Sequence, residues 1–426
     1  LDDAGFDVLY YDQFLVNFCG TKREFERAFS TELFLDERPV IREGAEVLGT
    51  HIDSSDTDVP GLISCQGTRF EDVLEGVAIE EPLYLDAATT LDPVVDYFHL
   101  TMPGDVSVGL NADRAHRGAT TGAGVTVAML DTGFQEHPYF DHRGYRVEPT
   151  TLGPGTADPE VDEHGHGTGE AANIFATAPD AVLEPVKIAT ASGALVNTTA
   201  AINLAATLDP DIMTNSWGAS VRFGPLSASR QAQAAAVAAA VAQGITVVFS
   251  AGNGGWGFPG QHPDVISAGG VFMHQDGTLE ASDYTSGFNS NVYPGRRVPD
   301  VSGLVGMKPG ASYIMLPVPP GCVIDTGRAG GSHPPQDETA ADDGWAAFSG
   351  TSAAAPQIAG VCALLKQACP KLNPDEIRDI LMDTAVDVTQ GSNSMGNAAG
   401  VGPDTATGNG LVNAYKAVLV AKLRCF

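Results

Sequence analysis

The stretch VDEHGHGTGEAAN (161–173) carries two histidines one residue apart, His164 and His166, with glycine on both sides of the second. Glycine around a histidine at a helix start implies a backbone that passes close to something else, and an imidazole held there suits general-base chemistry. Asp162, Glu163, His164 and His166 could instead gather a metal ion. Residues so near in sequence seldom converge on one ion without helical spacing, and His-x-His lacks it. Metal is the weaker reading.

FSGTSAAAPQIAG (348–360) is more specific. Ser352 falls in the first turn of a helix, behind Gly350 and Thr351 and ahead of three alanines. The positive end of the helix dipole favours negative charge developing on its hydroxyl, and small neighbours leave room for a substrate backbone. Ser and Thr also cap helices without doing chemistry, but Pro356 inside the helical pattern is odd under that reading. Asn253, in SAGNGG, offers a side-chain amide between glycines. Asn–Gly alone is turn chemistry; beside a nucleophilic serine it becomes a candidate oxyanion donor. Asp131 ends the apolar run AMLD, a position where most aspartates only form turns.

The elements that must position these residues alternate from about residue 100 onward. GVTVAMLDTG (124–133), AVLEPVKIA (181–189), DIMTNSWG (211–218), GITVVFSAGN (244–253) and DVISAGGV (264–271) read as short buried strands. Helical stretches separate them, the clearest being SASRQAQAAAVAAAVAQ (227–243), ended by Gly244. This predicts an α/β fold, a mostly parallel sheet with helices on both faces. Asp131, Asn215 and Asn253 fall at carboxyl ends of strands, where function gathers in such sheets. The segment 320–345, rich in Pro, Gly and Asp, reads as a surface loop.

Residues 1–95 have another texture. VLYYDQFLVNFC (8–19) reads as a strand, Thr21 and Glu24 form a capping box opening a helix, and 32–41 reads as a strand. A second capping box, Thr68 with Glu71, predicts another helix, and 77–85 another strand. The result is a small α+β domain, followed by a linker or maturation region at 96–105 and a main domain at 106–426.

Composition narrows the partners. The net charge of −30, from 53 acidic and 23 basic residues, repels phosphate backbones and argues against nucleic acid. With 7 lysines to 16 arginines, saline surroundings or a GC-rich genome would each produce the bias. No run approaches the roughly 18 apolar residues of a membrane span. Six cysteines do not make a disulfide scaffold. Cys362 and Cys369, seven apart in one helix, lie about 10 Å apart and cannot bridge. Cys19 with Cys65, or Cys369 with Cys425, could pair in an oxidising compartment. The chain begins at Leu1 without a basic-then-apolar leader and reads as processed.

DTG (131–133), GHGTG (165–169), SWG (216–218), SAGN (250–253) and GTSAAAP (350–356), in that order, resemble the subtilisin-like serine proteases over roughly residues 105–420. The resemblance implies a serine endopeptidase in which Asp131 orients His166, His166 acts as base, and Ser352 attacks the scissile carbonyl. The Ser352 N–H and the Asn253 amide would stabilise the oxyanion. Ser216, Trp217, Gly218, Ala251 and Gly252 would bind an extended peptide by strand addition, with apolar or uncharged side chains preferred. His164 is the second candidate base.

Gly169 and Glu170 stand where the familiar motif continues with a second histidine. The run EAANIFATAPDAVLEPVKI leaves no room for the calcium loop many subtilisins carry there, so no cofactor is expected, weak calcium sites elsewhere aside. VPDVSG (298–303) and GTSAAAP also echo the sedolisins, which use a Glu–Asp–Ser set. GTKREFERAFSTEL (20–33) resembles sedolisin propeptides. The N-terminal domain is therefore expected to be propeptide-like, a folding chaperone and intramolecular inhibitor, with any maturation cut between Tyr97 and Met102.

The family pattern suggests a secreted or extracytoplasmic enzyme acting on peptides or proteins, though a cytoplasmic place is also compatible. A neutral imidazole is needed, so activity should fall as pH drops through about 6 to 7. Two other readings use the same fold: a narrow-specificity processing protease, and a catalytically silent peptide-binding protein.

Overall fold

All five apolar runs of the main domain form strands, and they lie side by side and parallel. Across the sheet the order is Ile266–Met273, Thr246–Ser250, Ile212–Asn215, Thr126–Asp131, Val182–Lys187. Short strands extend both edges to nine in all among the described residues, including Val301–Leu304, parallel to Ile266–Met273. The computed structural model describes residues 1–11, 16–42, 45–79 and 92–425.

The side-chain period of two decides what each face of the sheet buries. On the central strand, Val127 and Met129 enter one apolar core while Ala128 and Leu130 enter another. The first core holds the helices His166–Thr177 and Thr351–Ala368, here termed the histidine and serine helices. The second holds Thr198–Ala206 and Ala228–Ala242. Asp131, two residues beyond Met129, therefore points to the face covered by the histidine and serine helices. Helix Ala228–Ala242 matches its sequence reading, with Ser227 as N-cap.

The next strand in sequence lies on one side of Thr126–Asp131 and the third lies on the other. Chain direction across the sheet thus reverses at Asp131, which opens a crevice at the carboxyl ends of the strands.

The chain divides into Leu1–Ala88 and Thr89–Phe426. Residues 96–105, read as a linker or maturation region, make contacts within the second unit. Leu100 donates its N–H to Tyr313, receives the N–H of Met315, and is buried with Met102 and Val106. The Tyr97 ring stacks on His333 at 3.6 Å. Apolar side chains at 100, 102 and 106 have a core to enter, so the segment packs.

In the first unit the capping box at Thr21 and Glu24 is present and opens Lys22–Phe29. Phe6, Phe18, Phe25, Phe29 and Phe70 cluster beneath it. Leu33–Arg42 pairs antiparallel with Ala45–Ser54, as α+β texture predicts. Two expectations differ. Residues 8–19 form two paired strands, Asp7–Tyr11 and Val16–Cys19, rather than one. The Thr68 box opens only a turn: Thr68 Oγ1 accepts the N–H of Phe70 rather than that of Glu71, and Glu71 turns to the Gly67 N–H. Of the expected strand 77–85, Gly76–Ala78 forms, and residues 80–85 lie outside the described residues.

The segment 320–345 is also more ordered than a loop. It contains the helix Val323–Arg328, whose Asp325 is buried and receives the Gly321 N–H. All six cysteines are free thiols; Cys362 is buried in the serine helix, and the side chain of Cys425 lies against Cys369. Among the described residues no helix is long and apolar enough to cross a membrane.

Candidate active site

The histidine helix begins under tight constraint. Asp162, fully buried, accepts the N–H of Gly165 on one oxygen and the N–H and hydroxyl of Thr168 on the other. These bonds satisfy N–H groups that a helix start leaves open. The Gly167 N–H donates to Thr132 Oγ1 at 2.8 Å, strapping the helix to the turn after Asp131. A Cβ on Gly167 would sit 2.1 Å from the Gly133 carbonyl oxygen, so only glycine fits. Here is the close approach that the glycines around the histidine imply.

The strap brings His166 Nδ1 to 2.7 Å from Asp131 Oδ1, which also accepts the Thr132 N–H. Because Asp131 accepts, the imidazole carries its proton on Nδ1 and leaves Nε2 for other work. His164 is not brought to Asp131. Its ring stands 6.1 Å from that of His166, and burial, then the charge of His166, lower its pKa. The four possible metal ligands disperse: Asp162 caps the helix and Glu163 pairs at 3.0 Å with the buried Lys187. Among the described residues no three His, Cys, Asp or Glu side chains are arranged to hold a metal. Residues 178–181 alone separate the histidine helix from the strand Val182–Lys187.

At the serine helix, Pro356 finds its explanation. A proline has no N–H for the carbonyl four residues earlier, which is that of Ser352. The Ser216 hydroxyl donates to that carbonyl at 2.8 Å, and the Ser352 hydroxyl donates to the Ser216 carbonyl at 3.3 Å. Ser216 thus holds the serine from both sides. Asn253 is fixed just as definitely. Its Oδ1 accepts from the N–H and the hydroxyl of Thr351, at 3.0 and 3.1 Å, and Thr351 Oγ1 accepts the Gly252 N–H. With the carbonyl end so occupied, the exposed amide NH2 turns toward the start of the serine helix. There a Cβ on Gly350 would lie 3.0 Å from Asn253 Nδ2.

The expected peptide walls are only partly as predicted. Ser216–Gly218 leaves the sheet and is partly exposed. The Trp217 indole donates inward to the Leu130 carbonyl and packs edge-on to Phe249. Ala251 is fully buried, and the N–H and carbonyl of Gly252 are taken by Thr351 and Ser286. Gly252 therefore has its N–H already committed, while Gly218 lies exposed.

Three contributors escaped sequence reasoning. Thr351 looked like a small spacer, although its hydroxyl was legible as a hydrogen-bonding group next to the nucleophile. Phe348 fills the space over Gly169, where a Cβ would meet its ring at 2.5 Å. Glu170, one helical turn from His166, is fully buried, and its Oε1 lies 3.7 Å from His166 Nε2. Burial alone would lower the His166 pKa, but the charge and hydrogen bond of Asp131, with Glu170 and Asp162 behind them, raise it to about 9. Burial raises Glu170 to about 8, against the pull of His166.

A carboxylate–imidazole pair at a sheet crevice, in one domain with a helix-opening serine and an oriented amide, is the set of groups used by hydrolases that cleave through a serine nucleophile. Residues 122–410 match the subtilase family, and the chain belongs to that family. It is similar to M-protease of Shouchella clausii, 29% identical over 350 residues, 78% of this chain and 76% of that protein. Alkaline elastase YaB of a Bacillus species is 29% identical over 402 residues, 87% of this chain and 88% of the relative.

Among solved structures, fervidolysin from Fervidobacterium pennivorans, a keratinolytic enzyme related to subtilisin, matches with a TM-score of 0.56 at 23% identity. That match covers 73% of this chain and 45% of fervidolysin. Sphericase matches with a TM-score of 0.51 at 24% identity, over 74% of this chain and 94% of its own. The fold is subtilisin-like, and the protein is a subtilisin-like serine endopeptidase.

Proposed function

We propose that Asp131, His166 and Ser352 hydrolyse peptide bonds through an acyl-enzyme. His166 Nε2 takes the Ser352 hydroxyl proton as Oγ attacks the scissile carbonyl. The resulting oxyanion is received by the Ser352 N–H, free in the first turn of its helix, and by the Asn253 amide. The imidazolium then gives its proton to the leaving amine, and water repeats the sequence to release the acid. The observation that carries this reading is the 2.7 Å bond from His166 to Asp131 at the end of the central strand. An extended peptide or protein substrate lies along Ser216–Gly218, with apolar or uncharged side chains preferred. The reaction asks for no cofactor.

In the same reading the first unit is a propeptide-like chaperone and intramolecular inhibitor, and the enzyme works outside the cytoplasm. A maturation cut between Tyr97 and Met102 must first release Leu100 from Tyr313 and Met315. Incubation followed by intact-mass measurement tests it; a chain that stays whole argues against self-cleavage.

The catalytic roles are tested with an organophosphorus probe on the full chain and on a form cleaved after the first unit. Ser352 is expected to be labelled, labelling to vanish in Ser352→Ala, and peptide hydrolysis to vanish with it. A cleaved form that binds peptides but takes no label at any pH would make the protein a peptide-binding module instead.

A further inference from the structure

Glu170 has no part in the three-residue mechanism, yet the chain buries it completely beside the catalytic base. Its Oε2 accepts from Asn173 Nδ2 at 2.9 Å. Asn173 Oδ1 in turn accepts from Gln357 of the serine helix at 3.0 Å, and Gln357 Oε1 accepts the Leu304 N–H at 2.7 Å. All four residues are fully buried. One end of this polar chain is therefore satisfied throughout, and it spans both helices that carry the triad.

The other end is open. Glu170 Oε1 is buried without a hydrogen-bond partner. A carboxylate oxygen in that state costs several kcal/mol unless a proton or a donor reaches it. His166 Nε2, at 3.7 Å, forms its ion-pair contact. Meanwhile the Ser352 hydroxyl is turned to the Ser216 carbonyl. In this resting arrangement the base and the nucleophile each face another group.

Resting on the triad reading, we propose that Glu170 is a positioning residue that holds the Nε2 edge of a protonated His166 by its charge. The triad becomes competent when the pair releases that proton. In the resting pair the proton is on Nε2, facing the charge on Oε1, and Nε2 cannot accept from Ser352. Loss of the proton to solvent leaves a neutral imidazole, Nδ1–H on Asp131, with its Nε2 lone pair free for the serine.

The other groups facing the pair are Asp131 from the central strand, and Asp162 and His164 from the segment before the helix. The serine helix and the strand Val301–Leu304 present neutral groups, Gln357 and the Leu304 backbone. Two buried carboxylates against one imidazole retain a proton to higher pH than one carboxylate does, and the titration belongs to the pair.

The test measures the rate of Ser352 labelling by the organophosphorus probe against pH, for the natural chain and for Glu170→Gln. The glutamine keeps the shape and can still accept from Asn173, but carries no charge. The acid limb is expected on the alkaline side of neutrality in the natural chain and about one pH unit lower in the variant, a gain of about tenfold in labelling rate at pH 7. Coincident profiles overturn the proposal while leaving the triad reading intact; absence of label in both chains overturns the triad reading instead.

Should Glu170→Gln fail to fold, nitrogen-15 NMR of His166 in Ser352→Ala of the full chain decides. An Nε2 proton kept above pH 7.5 supports the pair, and its loss near pH 6.5 overturns it.

Discussion

On the aspartate–histidine side of the crevice, a partly exposed His166 lies in the fields of the buried carboxyls Asp131 and Glu170. On the serine–asparagine side, Ser352, Ser216, Asn253 and Thr351 are joined by neutral hydrogen bonds. The charged side decides at which pH the site works, because each member alters the proton affinity of the next. In the proposed mechanism the neutral side decides where the oxyanion forms, because its bonds fix Asn253 beside the start of the serine helix. A pH change therefore reaches the second side only through the first.

Breaking the charged side should cost most. Asp131→Asn would make residue 131 a donor as well as an acceptor, release His166 from its productive tautomer, and lower kcat by about 10⁴-fold. Steady-state hydrolysis of a chromogenic peptide measures it, and a loss below tenfold would mean that Asp131 does not orient the base.

On the neutral side, Asn253→Ala should lower kcat by about 10²–10³-fold with little change in KM. That range belongs to the same donor elsewhere in this family and is carried over here. Thr351→Val sharpens the comparison. It removes the hydroxyl that orients Asn253 and accepts from Gly252, at a cost of about tenfold in kcat. Its pH profile should coincide with that of the natural chain. A shifted limb in Thr351→Val would show that the two sides are not separable.

In the proposed mechanism the charges beside His166 move the expected acid limb above the pH of about 6 to 7 of an unperturbed imidazole. His166 gains stabilisation of its charged form from Asp131 and Glu170, its pKa rises to about 9, and protonated imidazole cannot serve as base. The rate should thus rise through the alkaline range.

Much of this was legible because it rests on local rules. Strand-ending Asp131, the glycine-bounded His166 and helix-opening Ser352 stand in patterns that specify backbone geometry, and the five apolar runs specify the sheet. Glu170 was not legible because i and i+4 on a helix says nothing about burial, and a glutamate there is ordinarily solvated. The failed capping box at Thr68 has a similar cause, since the motif does not reveal that Glu71 finds the Gly67 N–H and Thr68 that of Phe70. The contacts of segment 96–105 were not legible because its partners, Tyr313 and Met315, lie more than two hundred residues away.

Phe348 and Gly169 behave as one side chain divided between two places in the sequence, since the ring occupies the volume the glycine gives up. Neither position can be exchanged with a relative's residue singly: a histidine at 169 would collide, and a small residue at 348 would leave a void. The two exchanges made together should be better tolerated than the sum of their separate effects, so transplanting motifs between subtilases must treat these positions as a unit.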